Sequence, residues 1–98
     1  MKDERIIEEM VKLDAWFLDL CENYKDPWNN PHVVSKPNYL NSHDACQRVI
    51  DGMNDQIVRL YCYQVTALTG YTPHGIIKAT PRQKCEAILR AYGKWEEL

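Results

Sequence analysis

The chain reads as a mainly α-helical, compact domain of about four helices joined by one long proline-rich loop. Three observations predict this. Apolar residues recur at helical spacing in four separate segments, side chains suited to capping stand before three of them, and one stretch of the chain breaks all periodicity. The alternative is an α+β domain with a two-stranded hairpin within residues 61–79.

A first helix is expected over residues 3–23. Ile6, Met10, Leu13, Phe17 and Leu20 repeat on one side, with Ile7, Trp16 and Cys21 beside them. The acidic start suits the positive end of the helix dipole. Residues 24–41 then form a loop holding Pro27, Pro31, Pro37, Asn29, Asn30 and Asn38, with a short extended piece expected at 32–35. Proline removes a backbone donor and biases its predecessor away from the helical region. A structureless loop longer than about 12–15 residues is uncommon in a compact domain and is often functional.

Asn41 or Ser42 can cap a second helix, whose apolar stripe is Cys46, Val49, Ile50 and Met53, with a break at Gly52. Asn54 or Asp55 can cap a third, in which Ile57, Leu60, Tyr61, Gln64 and Leu68 share a side and Gly70 is a stop. Tyr61, Tyr63, Val65 and Thr66 are also good strand formers. Residues 61–65 could therefore pair with 76–79 across the Thr72-Pro73-His74-Gly75 turn, which keeps the hairpin open.

The last helix, over 81–92, has the clearest signals. Thr80, Pro81 and Gln83 read as a capping box with proline in the first turn. Cys85, Ile88, Leu89 and Tyr92 form an apolar face, Glu86 precedes Arg90 by one turn, and Gly93 ends the helix. The first helix is expected to pack against the third and fourth, with the proline-rich loop crossing one end.

With 98 residues the chain fits one domain, 1–98. Its core is modest, so self-association into a homo-oligomer is one expected route to extra stability. The net charge of −2 gives no general pull toward nucleic acid or an anionic membrane. The distribution is uneven: Asp3, Glu4, Glu8, Glu9, Asp14, Asp19 and Glu22 lie early, whereas Lys78, Arg82, Lys84, Arg90 and Lys94 lie late. The two groups either attract each other, within or between chains, or form solvated faces. The start is charged and no stretch approaches the ~20 apolar residues of a membrane span, so a cytoplasmic protein is expected. Cys21, Cys46, Cys62 and Cys85 are then read as structural thiols rather than disulfides.

Two stretches carry a resemblance. One is Pro37-Asn38-Tyr39-Leu40-Asn41-Ser42-His43-Asp44-Ala45. The other runs from Ala79-Thr80-Pro81-Arg82-Gln83 through Gly93-Lys94-Trp95. Together they resemble small uncharacterised proteins encoded by bacteriophages and prophages, over about the C-terminal two-thirds of the chain. More faintly, the layout is similar to the phage ABA-sandwich family, which places a sheet between helices. The resemblance implies a phage setting, hence the cytoplasm of a bacterial host, and carries over no catalytic residue.

Candidate chemistry is sparse. Zinc sites show close ligand pairs. Here the only such pair is His43 and Cys46, which needs Cys21, Cys62 or Cys85 to complete it. No metal or cofactor is expected. A Cys–His pair needs an accessible thiol activated by the neighbouring histidine; His32, His43 and His74 lie in or beside loops where one could approach a cysteine, but nothing in the sequence orients such a pair. No Gly-x-Ser-x-Gly, phosphate-cradling or His-Glu-x-x-His pattern occurs. The chain is therefore read as not an enzyme.

Recognition has better support. The proline-rich loop gathers Trp28, His32, Lys36, Asn38 and Tyr39, residue types that combine contact area with a polar handle. The plainer alternative is that Trp28 and Tyr39 pin the loop to the core. At the other end Lys78, Lys94 and Trp95 are not needed by the last helix. The expected function is a non-catalytic phage accessory protein that binds a host protein or complex, with inhibition of a host defence system as its role. Two alternatives are an oligomer that sequesters a nucleotide signal, with Lys36, Arg48 or Lys78 meeting its phosphate, and a structural or assembly component of the phage particle. Neither membrane nor direct nucleic-acid binding is expected.

Overall fold

A computed structural model describes residues 1–23 and 36–96. In chain order these form α1 (Asp3–Leu13), α2 (Ala15–Asn23), α3 (His43–Asp51), α4 (Asp55–Leu68), α5 (Pro73–Ile77) and α6 (Pro81–Ala91). The fold is mainly α, as expected, and no strand occurs among the described residues.

Helix α6 is the centre of the domain. Cys85, Ala87, Ile88, Leu89 and Ala91 are all buried, so the helix is covered on more than one side. Helices α1, α3 and α4 each pack on it. They contribute Ile6 and Met10, then Ala45, Cys46 and Val49, then Tyr61 and Val65. Small residues at 87 and 91 let neighbouring helices approach closely. The caps and stops act as the sequence indicates. Thr80 accepts from the Gln83 N–H at 3.1 Å, and the Gln83 side chain accepts from the Thr80 N–H at 2.9 Å. At the far end Gly93 has φ 71°, and the Lys94 N–H reaches the Leu89 carbonyl at 2.8 Å, the bond that closes a Schellman motif. Ser42 caps α3 and Asn54 caps α4.

Three expectations are corrected. The helix expected over 3–23 is two helices, because Asp14 leaves the helical region at φ −93°, ψ 86°. Its Oδ1 accepts from the Phe17 N–H at 3.2 Å and so starts α2. The hairpin alternative does not occur: residues through Leu68 are helical, and the expected Thr-Pro-His-Gly turn is the start of α5, capped by Thr72 with Pro73 in its first turn. Here the unbroken apolar stripe outweighs the strand propensity of Tyr61, Tyr63 and Val65. The sheet implied by the sandwich likeness is absent from the described residues with it. Third, α1 packs chiefly on α6 rather than on both α4 and α6. Of the proline-rich loop, residues 24–35, including the extended piece expected at 32–35, lie outside the described residues.

The early acidic and late basic groups meet within the chain. Arg82 binds Asp3 and Lys94 lies 4.0 Å from Glu9, and a pair of the reverse sense, Arg5 and Glu96, is 3.5 Å apart. No helix is long and apolar enough to cross a membrane among the described residues.

Candidate functional site

The residues singled out from sequence do not converge on one place. Trp28 and His32 lie outside the described residues. Lys36 lines a shallow groove with Glu4, Ile7 and Glu8, and Asn38 lines others beside α1 and α2. Lys94 and Trp95 come together around Glu9, near Arg5 and Lys12. There Arg90 sits over the Trp95 ring, 5.3 Å from its centroid. Lys78 caps the C-terminal end of α5, exposed.

Tyr39 is fully buried, and therefore acts as the pin rather than as a surface contact. Its hydroxyl donates to Asp14 Oδ2 at 2.7 Å. Arg48 meets the same oxygen at 3.1 Å and lies over the Trp16 ring, 4.4 Å from its centroid. Burial and the bond to Asp14 hold the Tyr39 phenol far above its ordinary pKa. Arg48 is thus held by Asp14 and Trp16, which weakens its claim as a phosphate ligand.

The cysteines divide. Cys46 and Cys85 are fully buried with sulfurs 3.6 Å apart, and both point at the Tyr39 carbonyl. Their shared hydrogen bond draws the Cys46 thiol down and pushes Cys85 up. Neither is open to a substrate. Cys21 and Cys62 are exposed free thiols, contrary to the expectation that all four pack inward. His43 is exposed at the start of α3, 2.9 Å from the Lys84 amine, while Cys46 turns inward. Among the described residues no group of three histidine, cysteine, aspartate or glutamate side chains is placed to hold a metal.

The largest departure from ordinary surface chemistry is on α4 and α5, a region from which sequence reasoning selected only Lys78. Tyr61 and Val65 point into the core, which turns Leu60, Tyr63 and Ala67 to the opposite, exposed side of α4. Tyr63 is 64% exposed, Tyr71 67% and Ile77 81%, and Leu60 and Ile76 are also exposed. Side chains this large and apolar gain nothing from solvent, and five of the exposed large hydrophobic residues fall on these two neighbouring elements and the turn between them, which makes them the candidate interaction surface.

The backbone sets this surface deliberately. Gly70 is left-handed at φ 82°, and the Tyr71 N–H bonds the Thr66 carbonyl at 2.9 Å to close α4. Tyr71 is also left-handed, at φ 62°, where a non-glycine residue is strained. Tyr71 is mostly exposed and no hydrogen bond of its side chain to the described residues accounts for that conformation; such outliers cluster at functional sites. Helix α5 then folds tightly against the end of α4. A Cβ on Gly75 would lie 2.3 Å from the Thr69 carbonyl oxygen, so only glycine permits that approach.

One signal in the sequence could have drawn attention here. From Gln56 to Cys85 there is no aspartate or glutamate. The stripe expected on α4 is corrected at Leu60, which lies beside the buried Tyr61 but is exposed, and Tyr63, whose strand propensity is what the sequence shows, belongs to the same exposed side. Compared with protein-family models, with curated proteins and with solved structures, the chain matches none.

Proposed function

We propose that this chain is a non-catalytic accessory protein that works by binding another protein, with the exposed α4–α5 face as the docking surface. In the phage or prophage setting implied by the resemblance, the partner is a host protein or complex, and inhibition of a host defence system is the role. The observation that carries the reading is the exposed apolar face of Leu60, Tyr63, Tyr71, Ile76 and Ile77, set by a left-handed tyrosine and a glycine-dependent contact. A few well-packed residues, tyrosine prominent among them, supply most of the binding energy at protein interfaces. The role of Lys78 fits this face, because it ends α5. Lys94 and Trp95 are engaged by Glu9 and Arg90 and are assigned to the fold.

The test is affinity capture from a lysate of the bacterial host, with the full chain as bait. A partner recovered in stoichiometric amount, and lost when Tyr63 and Ile77 are changed to aspartate, is the expected result. Recovery of no stoichiometric partner, or equal recovery by that double variant, refutes the assignment.

A further inference from the structure

The charge around the α4–α5 face is as uneven as its polarity. Arg59 and Lys78 are both exposed, one on α4 and one at the end of α5, and His74 is exposed within α5. Neither cation forms an ion pair with the described residues. By contrast Arg5, Lys12, Arg48, Arg82 and Lys94 each meet a carboxylate of the chain. The stretch without aspartate or glutamate, from Gln56 to Cys85, contains both α4 beyond its first residue and all of α5. Arg59 directly precedes Leu60 on α4 and Lys78 directly follows Ile77 at the end of α5, so the exposed apolar residues adjoin two cations that no carboxylate of the described residues pairs.

We propose that the α4–α5 face takes a protein surface whose own apolar centre is ringed by aspartate and glutamate. This rests on the reading of that face as the docking surface and adds the chemistry of the partner. Charged flanks act chiefly through specificity and encounter rate: opposite charge on the partner steers it in, and like charge is rejected. A single-stranded nucleic acid fits less well. Its phosphates call for a track of cations along the strand, whereas here two formal charges flank a centre that is largely aliphatic at Leu60, Ile76 and Ile77. A second copy of this chain also fits less well, because Asp3, Glu8 and Glu9 of α1 are already paired with arginine or lysine.

The experiment titrates the full chain with two synthetic amphipathic helical peptides of about 18 residues, long enough to present several turns. They share leucine and phenylalanine positions and differ only in carrying glutamate or lysine elsewhere. The acidic peptide is expected to bind at least about tenfold tighter than the basic one. The preference should vanish in the Arg59→Gln/Lys78→Gln variant and reverse in Arg59→Glu/Lys78→Glu, while Ile77→Asp removes binding of both. Circular dichroism establishes that each variant is folded. Equal binding of the two peptides, binding of neither, or a preference for the basic one overturns the proposal. So does tighter binding of a single-stranded oligouridylate, or a dimer by light scattering that excludes the acidic peptide. Stoichiometric capture of a host protein that depends on Tyr63 and Ile77, with no discrimination between the peptides, would remove the charge assignment and leave the docking reading standing.

Discussion

Replacing Asp14 by alanine removes the Phe17 cap, the acceptor of the Tyr39 hydroxyl and the partner of Arg48 together. Removing one member of a buried charged network leaves the others unsatisfied, so unfolding in urea should show a loss of about 3 kcal/mol. Asp14→Asn keeps an acceptor oxygen and should lose about 1–2 kcal/mol. Glu9 gives a pH-dependent counterpart. Its carboxyl is held below the usual carboxylate range first by the hydrogen bond from Lys12, then by the nearby charges of Lys12, Arg5 and Lys94, against the opposing effect of burial. A lowered folded pKa means that its stabilisation is fully present above the ordinary value of 4.5 and is lost as pH falls through the folded one. Stability measured across that acid range should fall less steeply in Glu9→Gln than in the wild type. At Tyr71, glycine relieves the left-handed strain. Tyr71→Gly should leave stability unchanged or raise it by up to about 1 kcal/mol while weakening partner binding, the opposite of what a core tyrosine would do.

At the scale of elements, legibility followed local chemistry. Helix α6 was readable almost to the residue because its cap, its proline, its apolar face and its terminal glycine all point the same way. Thr80→Ala should cost about 1 kcal/mol of stability by thermal or urea unfolding, as loss of an N-cap does. The break between α1 and α2 was not readable from periodicity, because the apolar stripe continues from Leu13 to Phe17 across it. What breaks the helix is a tertiary contact: Asp14 finds Tyr39 and Arg48, both far along the chain. Helix α5 was hidden for a similar reason, since five residues are too few to show a period. Its position depends on Gly75. Gly75→Ala places a Cβ against the Thr69 carbonyl and should displace α5. Hydrogen exchange should then speed up in α5 while the amides of α6 remain protected.

For the whole molecule, the sequence-selected binding residues fared according to how far their surroundings could be inferred. Tyr39 was chosen for its chemistry and turned out to be a core anchor, because its proximity to Asp14 cannot be seen along the chain. The α4–α5 face was missed because one side of α4 was sufficient to explain it as a core helix. The domain places its buried surface around α6 and leaves apolar residues of α4 and α5 exposed, without a partner among the described residues. On this account, that surface is the functional one, and its removal should leave the fold intact. The most direct measurement is the affinity of the Tyr63→Asp/Ile77→Asp variant for the host partner captured by the wild type, set beside its melting temperature. Two interface anchors at about 2 kcal/mol each predict a loss on the order of 1,000-fold. The melting temperature should stay within about 5 °C of the wild type, as expected for exposed positions. Wild-type affinity in the folded double variant would contradict the account.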